Sequence, residues 1–508
     1  MKVIIIGSGM SGLTAGAYLA RVGHAVTIFE QFPAPGGVTA TVKQDGFGWD
    51  IGPLLLEGFA SGDKGRRILE ELGVSEQIPS VQADRGLSMP EFALWHPREY
   101  AGPYWRRDRL KELFPDESRA LDDYYRFYDR MIQLMSLGRQ VESAQGLAAT
   151  WLKLRLLLGF QSVKKYVNWN GGQLMDAFFN SPVLKTFFLG IVADFVTAPS
   201  EFPALGVPSI HLETAFDKRI PTYPGVRSAQ TAFTYILGGC QTMVDAVMGV
   251  IKANGGQILT NMLVKRILIE NNRVTGVELE DGQIESADLV LASGGMKEVF
   301  FGLVGRENLP AELASQIEAN RLMESVLMVQ LGIDFDPSPY QPAALCYYYK
   351  TQDLEGAVKR LRTGDYHEGK DGFLIYVPSL HSPSLAPAGK HAVTIYTVAP
   401  DTLSEGSWSE RKEELADKLV AEAEQNMPGL RQHTLTRLIL TPEDYRRRTA
   451  QAHHSFGGVP PVIGNKPPAH KTPIDGLWFI GAQSESTGGV LNVMTGAQKV
   501  AKQILQGD

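Results

Sequence analysis

The chain has 508 residues, more than one hydrophobic core of about 100–200 residues holds, so two or more lobes are expected. Hydrophobic residues make up 44% and charged residues 21%, which excludes disorder as the main state. Lys plus Arg number 49 against 56 Asp plus Glu, a net charge of −7, which argues against nucleic acid as a partner.

Two cysteines, Cys240 and Cys346, exclude a disulfide framework and a four-thiolate metal site. No metal is expected, both thiols read as buried small residues, and a reducing, cytoplasmic setting is the simpler assumption. The opening Met1-Lys2 with a four-residue apolar run does not read as a signal peptide, because glycine interrupts it at once. No apolar run of about 18 residues occurs, so a spanning helix is not expected.

Residues 3–6 are four β-branched residues, the pattern of a buried parallel strand. Gly7-Ser8-Gly9-Met10-Ser11-Gly12 follows, then a helix through Leu13, Ala17, Leu19 and Ala20 that ends near Gly23. Residues 24–29 form a second strand closing on Glu30. Gly7-x-Gly9-x-x-Gly12 thus has its full context: strand before, helix after, acidic residue about 20 positions on. Gly7 permits the tight turn, Gly9 lets a pyrophosphate reach the backbone, and Gly12 lets helix and strand pack closely. Free N–H groups at the helix start bind phosphate. Glu30 can accept two hydrogen bonds from an adenosine ribose and disfavours a 2′-phosphate, so FAD or NAD is preferred over NADP.

Gln31-Phe32-Pro33-Ala34-Pro35-Gly36-Gly37-Val38 comes next. A glycine pair six and seven positions beyond Glu30 resembles the extended signature of two-domain flavoproteins, where it approaches the ribityl chain. Asp50-Ile51-Gly52-Pro53 resembles the strand end beside the isoalloxazine. From residue 76 to 235 the chain mixes helices and strands rich in aromatics. Within it, residues 148–166 carry Trp151, Leu152, Leu154, Leu156, Leu157, Leu158 and Phe160, with Lys153, Arg155, Lys164 and Lys165 interleaved. Two readings stand open: a helix lying in a membrane interface, or an amphipathic core helix.

Gly238-Gly239 opens a helix with Met243, Val244, Val247, Val250 and Ile251 on one face. Strands over 264–270, 273–280 and 283–286 follow, joined by Asn271-Asn272 and Asp281-Gly282, both good hairpin turns. Residues 289–292 read as a buried strand, so an antiparallel meander interrupts a parallel sheet. A second insertion, 301–470, holds strands near 325–333 and 392–398. It also holds a helix announced by the capping box Ser407-x-x-Glu410, with Leu415, Leu419 and Ala423 at helical spacing. The last strand is 477–480, ending at Gly481-Ala482. After Gly488-Gly489-Val490-Leu491 a final helix carries Val493, Ala497, Val500, Ala501 and Ile504. Its positive end suits the flavin pyrimidine carbonyls, which gain negative charge on reduction.

On these motifs the chain resembles the phytoene desaturase family of FAD flavoproteins, which includes carotenoid isomerases and retinol saturases. The likeness covers nearly the whole length. It includes Tyr235-x-x-Gly238-Gly239, the segment from Ser382 to His391, and Thr441-Pro442-x-Asp444 followed by Gly457-Gly458. Departures are Val38 where many members place Arg, Ser484-Glu485-Ser486 where many desaturases carry Thr-His-Pro, and Thr487 in place of a glycine.

The resemblance implies an α/β fold: a Rossmann-type FAD-binding domain, parallel sheet plus antiparallel meander, with a mixed α+β substrate domain inserted. Residues 1–75, 236–300 and 471–508 form the first, and 76–235 and 301–470 the second, with helices near 148–198 open to a membrane-facing role. The implied FAD contacts are Gly7, Ser8, Gly9, Ser11, Gly12, Glu30, Gln31, Gly36, Gly37, Val38, Pro53, Val264 (through its backbone), Gly481, Ala482, Gly489, Val490 and Leu491.

Two catalytic candidates follow. Glu485 is a proton donor or base with a raised pKa in an apolar tunnel, or else caps the next helix or pairs with a surface cation. His454, beside His453, is the other, with a satisfied core histidine as its alternative. The expected substrate is a long apolar polyene or isoprenoid. Without a second glycine fingerprint for a nicotinamide cofactor, electrons are expected to pass to or from oxygen, a quinone or another protein, and a redox-neutral isomerase is permitted. Two other classes stay open: an amine-oxidase-like flavoprotein, and a non-enzymatic prenyl-lipid chaperone of the GDP-dissociation-inhibitor type. The four retained residues Gly7, Gly9, Gly12 and Glu30 weigh against the last.

Overall fold

The opening run becomes strand Lys2–Ile6, with Val3, Ile4 and Ile5 all fully buried. In the computed structural model, which describes residues 1–194, 196–222 and 231–507, it is the centre of a five-stranded parallel sheet. The order across the sheet is Gln257–Thr260, Ala25–Glu30, Lys2–Ile6, Leu289–Ser293, Leu477–Ile480. Strands from the start, middle and end of the chain therefore lie side by side, in register from Ile6 to Phe29 and Ala292, and from Ala292 to Phe479.

Both faces of a parallel sheet must be covered, which is why residues 3–6 are apolar without alternation. Val3 and Ile5 face helices Met10–Arg21, Gln241–Ala253 and Val490–Gln506. Ile4 and Ile6 face an antiparallel meander of Val264–Glu270, Arg273–Leu279 and Ile284–Ser286. Asn271 and Asn272 both take positive φ, 49° and 60°, as a two-residue hairpin between right-twisted strands requires.

The second sheet has seven strands in the order Thr434–Leu440, Ser325–Ile333, His391–Ala399, Gly372–Tyr376, Leu345–Tyr349, Arg85–Ser88, Ala93–Leu94. All neighbours are antiparallel except Leu345–Tyr349 with Arg85–Ser88. Period-two alternation divides its faces. Phe373, Ile375 and Val377, with Leu327, Val329 and Leu331, pack under helix Trp408–Glu424. Leu374 and Tyr376, with Val326, Met328 and Tyr396, face the other way, toward Val38, Leu54 and Leu55 of the first domain. A third layer is helical, with Ser118–Ser143 packed against Gly171–Phe178 and Pro182–Asp194 around an aromatic core.

The seams expected at 75/76 and 235/236 are crossed by a small sheet that joins Leu56–Glu57 and Ser80–Gln82 to Phe233–Ile236. The hairpin Thr41–Gln44/Phe47–Asp50 also docks on the large sheet, with Trp49 Nε1 donating to the Leu331 carbonyl at 3.1 Å.

Helix Gly146–Gln161 resolves the open reading of that segment in part. None of its residues is buried, so it is not a core helix. Leu156 and Phe160 touch the helical layer. On another face Leu147, Trp151, Leu154 and Leu158, spaced i, i+4, i+7, i+11, are 90, 60, 45 and 63% exposed.

Candidate functional site

The first glycines divide their work as their positions predict. Gly7 has φ +91° and donates its N–H to the Phe29 carbonyl at 2.8 Å. A Cβ on Gly12 would collide with the Gly7 carbonyl oxygen, so this helix start sits against the turn only because residue 12 has no side chain. A Cβ on Gly9 would meet no heavy atom within 4 Å. Gly9 also begins the helix without a side-chain cap. Space and unshared N–H groups meet here, which is what an anion needs.

Glu30 is buried, with 7% exposure. Its Oε2 accepts from the Ser8 N–H (2.8 Å) and the Ser8 hydroxyl (2.6 Å), and its Oε1 accepts from the Phe32 N–H (2.8 Å). A carboxylate offers about four acceptor positions, so three are filled and one remains. Glu30 thus staples the phosphate turn to the strand end and has room for one further donor, or for two if the rotatable Ser8 hydroxyl turns away.

The second glycine pair lies on the first. Gly36 N–H donates to the Ser8 carbonyl at 2.9 Å, and Gly9 and Gly36 form a parallel β-bridge. A Cβ on Gly37 would come 3.3 Å from the Gly9 Cα. The Val38 carbonyl is pressed against Gly52, where any Cβ would strike it. Gln31, expected at the cofactor, spends its amide on the Arg447 and Arg448 carbonyls (3.1 and 2.8 Å). Arg448 returns a bond from Nε to the Gly37 carbonyl at 2.6 Å and lies over the Phe32 ring at 4.6 Å. The sequence reasoning missed Arg448. Its signal was the capping box Thr441/Asp444, which starts the short helix Pro442–Thr449 that carries it.

The tail closes on the same place. Gly481 has φ +105°, and a Cβ there would come 3.2 Å from Ser293 Oγ and 3.4 Å from Ser11 Oγ, two hydroxyls themselves 2.9 Å apart. Gly457 and Gly458 interlock with Gly488 and Ala482, each filling room a Cβ would need. Gly489 (φ +99°) starts the final helix without a side-chain cap, Val490 is buried, and Leu491 packs on Gly58. Val264, 4% exposed, lies in the core between meander and sheet, with its backbone at the strand start. Pro53 offers its carbonyl to the Cys240 thiol at 3.5 Å.

Of the two catalytic candidates, Glu485 is a correction. Its side chain is 40% exposed and pairs with Lys499 at 3.3 Å, so it is a surface acid and not the acid of an apolar tunnel. His454 is buried. Its Nδ1 lies 2.6 Å from Ser325 Oγ, and its ring stacks on Tyr445 at 4.8 Å and 12°. Burial, then the charges of His453 and Arg446, push its pKa down to about 3, so it is neutral. This is the satisfied core histidine of the alternative reading.

The buried polar centre lies elsewhere. Asp50, fully buried, accepts from Thr41 Oγ1 (2.6 Å), the Cys240 N–H (2.8 Å) and the Tyr235 hydroxyl (3.0 Å). Burial raises its pKa, and those three donors oppose the rise. Burial and the neighbouring Asp50 also push the Tyr235 phenol up. Tyr235 stands against Tyr376 (5.8 Å) and His381 (5.6 Å). Sequence reasoning marked Asp50 and Tyr235 as motif residues, but Tyr376 and His381 carry no local signal.

Beyond this centre, Leu374, Tyr396 and Val398 continue the same sheet face to a cavity closed by Leu354, Val358 and Leu361 of helix Leu354–Arg362. Val398 packs against both the cluster that holds Leu374 and Tyr396 and the cluster of Val196, Ala198, Val358 and Leu361.

Two glycine pairs stacked at the head of a parallel sheet are built for a dinucleotide, and a second sheet set over them makes this a two-lobed flavoprotein fold. The chain belongs to the flavin containing amine oxidoreductase family, whose sequence profile matches residues 10–505. Membership brings a flavin cofactor and oxidoreductase chemistry. Prolycopene isomerase 1, chloroplastic, of an Oncidium hybrid cultivar is 25% identical over 96% of this chain and 81% of that protein. The phytoene desaturase (lycopene-forming) of Pseudescherichia vulneris is 23% identical over 99% of both. Among solved structures, an oxidoreductase from Methanosarcina mazei is 20% identical, covers 99% of this chain and all of its own, and superimposes with a TM-score of 0.63. That likeness carries the fold alone.

Proposed function

We propose that the protein is an FAD-dependent oxidoreductase acting on a long apolar polyene or isoprenoid, by desaturation or cis–trans isomerisation. The observation that carries this reading is the run of apolar side chains from Val38, Leu54 and Leu55, through Leu374 and Tyr396, to the cavity beside Val358 and Leu361. A long hydrocarbon is the ligand such a surface suits, since burial of apolar area is its main source of affinity. The two relatives named for carotenoid reactions support the same direction.

The residues fit FAD. Gly9 leaves open space for a pyrophosphate, and Glu30 keeps one acceptor position for a ribose hydroxyl. Gly36 and Gly37 bring bare backbone to the same turn, and Gly481 comes to Ser11 from the tail, followed by Ala482, Gly489, Val490 and Leu491, which the family resemblance assigns to the flavin. Bound there, the flavin supplies the hydride or electron chemistry, and the protein supplies orientation and field. Arg448 holds the Gly37 carbonyl, and Asp50 holds Tyr235 and the turn at Cys240, so the walls are set before substrate arrives. Electrons pass to oxygen or a quinone rather than to bound NAD(P).

Helix Gly146–Gln161 docks on a lipid surface, from which an apolar substrate is drawn. Its exposed stripe of Leu147, Trp151, Leu154 and Leu158 is flanked by Lys153 and Arg155, the arrangement of an interfacial helix. Among the described residues no helix is long and apolar enough to cross a membrane.

The test is anaerobic incubation of the flavin-loaded protein with phytoene and with prolycopene, watching flavin bleaching and product geometry together. Bleaching marks net oxidation of the polyene; a changed isomer without bleaching marks isomerisation. A primary amine that bleaches the flavin while no polyene does so or changes geometry contradicts the reading in favour of amine oxidation. A folded, colourless protein that takes up no FAD contradicts it in favour of a prenyl-lipid chaperone.

A further inference from the structure

Two buried polar atoms on this sheet face make no hydrogen bond of ordinary length among the described residues: the Tyr376 hydroxyl, whose approach to the Tyr235 phenol falls short of one, and His381 Nε2. Leaving one such group unmade costs about 1–3 kcal/mol, so two in one cluster is a feature that wants a reason. The rings lie 6.4 Å apart, and each is against Tyr235, so the three form a compact triangle. The Tyr235 hydroxyl already donates its one hydrogen bond to Asp50, at 3.0 Å.

Strand alternation aims Tyr376 at the first domain, because its neighbours Ile375 and Val377 pack on the opposite face under helix Trp408–Glu424. His381 is fixed by the turn before it, with its N–H on the Pro378 carbonyl at 3.0 Å, and by the stack of its ring on Tyr235. Around them stand Leu345, Leu374 and Leu385. Burial and the Lys218 charge push the His381 pKa down to about 4, so the imidazole is neutral near pH 7. A phenol and a neutral imidazole can each donate or accept. Apolar walls reject a charged ligand atom but take a neutral oxygen that both groups bind.

We infer that Tyr376 and His381 form a binding site for a single neutral oxygen, a hydroxyl or carbonyl, on an otherwise apolar polyene or isoprenoid substrate. This rests on the substrate reading above and narrows it from hydrocarbons in general to oxygenated ones. The oxygen anchors one part of the substrate beside the Asp50–Tyr235 corner, and the hydrocarbon runs along Leu374, Tyr396 and Val398 toward the cavity. Fixing one atom fixes which carbons of a uniform chain meet the flavin, a selection that apolar contact alone makes poorly.

The experiment compares all-trans-retinol with the matching hydrocarbon that lacks the hydroxyl, each titrated into flavin-loaded protein by quenching of tryptophan fluorescence. The alcohol is expected to bind about tenfold tighter, one hydrogen-bonded group's worth of discrimination. Tyr376→Phe and His381→Leu are each expected to lower that ratio severalfold, and the double variant to bring it near one. Tyr376→Phe keeps the shape of the ring, and His381→Leu answers the question if that variant fails to fold. Equal binding of alcohol and hydrocarbon by the wild type overturns the inference while leaving the polyene reading intact. So does a ratio that survives in both variants, which would assign the two atoms to ordered water. A shifted flavin spectrum with an unchanged ratio would assign them to the flavin and overturns the inference too. If neither probe binds, the polyene reading falls, and this inference with it.

Discussion

The two sheets are held together by different means. In the five-stranded sheet, distant segments lock through bare backbone: Gly12 against Gly7, Gly36 against Gly9, Gly458 against Ala482, Gly488 against Gly457. In the seven-stranded sheet, segments lock through side chains, Trp408 and Leu419 on one face, Tyr376, Tyr396 and Met328 on the other. Backbone locks tolerate no change of residue, because the clash is with an atom that cannot move aside. Side-chain locks tolerate exchange of one apolar group for another of like volume. One half is thus specified residue by residue, and the other is free to be reshaped.

The largest effect that separates these cases is expected within a single turn. Gly12→Ala drives a Cβ into the Gly7 carbonyl and is expected to destabilise the chain by about 3 kcal/mol or more, seen in denaturant unfolding. Gly9→Ala meets nothing, with φ at −66°, and is expected to cost under about 1 kcal/mol while abolishing flavin retention. Equal destabilisation by the two would break the division between packing glycine and ligand-facing glycine.

The helical layer supplies the next test. Trp151→Glu with Leu158→Glu is expected to lower cosedimentation with anionic vesicles at least tenfold, an estimate from the apolar area withdrawn from lipid. Because both residues are more than half exposed, melting temperature and flavin content are expected to stay as in the wild type. Unchanged vesicle binding would remove the membrane surface from the account.

Acid sharpens the comparison further. The half built on the seven-stranded sheet holds His367 and His381 half-buried and His454 buried, with pKa values lowered by desolvation to about 4, 4 and 3. Each lies below the ordinary value of about 6.5, so below that pH the unfolded chain takes up protons that the folded chain refuses. Their contribution is complete above about pH 6.5 and is lost as pH falls toward 3, at up to about 1.4 kcal/mol per pH unit for each histidine. His454→Phe is expected to make the stability–pH curve shallower by about one proton in that window. An unchanged slope would mean that His454 is protonated in the fold. The smallest effect is expected at Glu485→Ala, where an exposed pair with Lys499 is worth under about 1 kcal/mol. A strong loss of turnover there would return Glu485 to the chemistry.

The same contrast explains what could be read from the chain. Residues 3–12, the Asn271-Asn272 turn, the capping box at Ser407 and the strand over 325–333 all announce themselves within a few residues, because the forces that shape them are local. Arg448, Tyr376 and His381 do not. Each acquires its role from a segment far away: Arg448 from Gly37, Tyr376 and His381 from Tyr235. Glu485 misled for the complementary reason. It stands near Gly481 in sequence, yet a helical lysine fourteen residues on draws it to the surface.

The central claim is that the first turn and the last helix grip one flavin dinucleotide between them. The most direct measurement is the cofactor released from the purified chain, before and after incubation with FAD, quantified by absorbance and by mass. About one FAD per chain in the wild type, absent from Gly9→Ala at unchanged stability, is the predicted result. A folded wild-type chain that retains no flavin under either condition, or Gly9→Ala holding it as well as the wild type, would contradict the account.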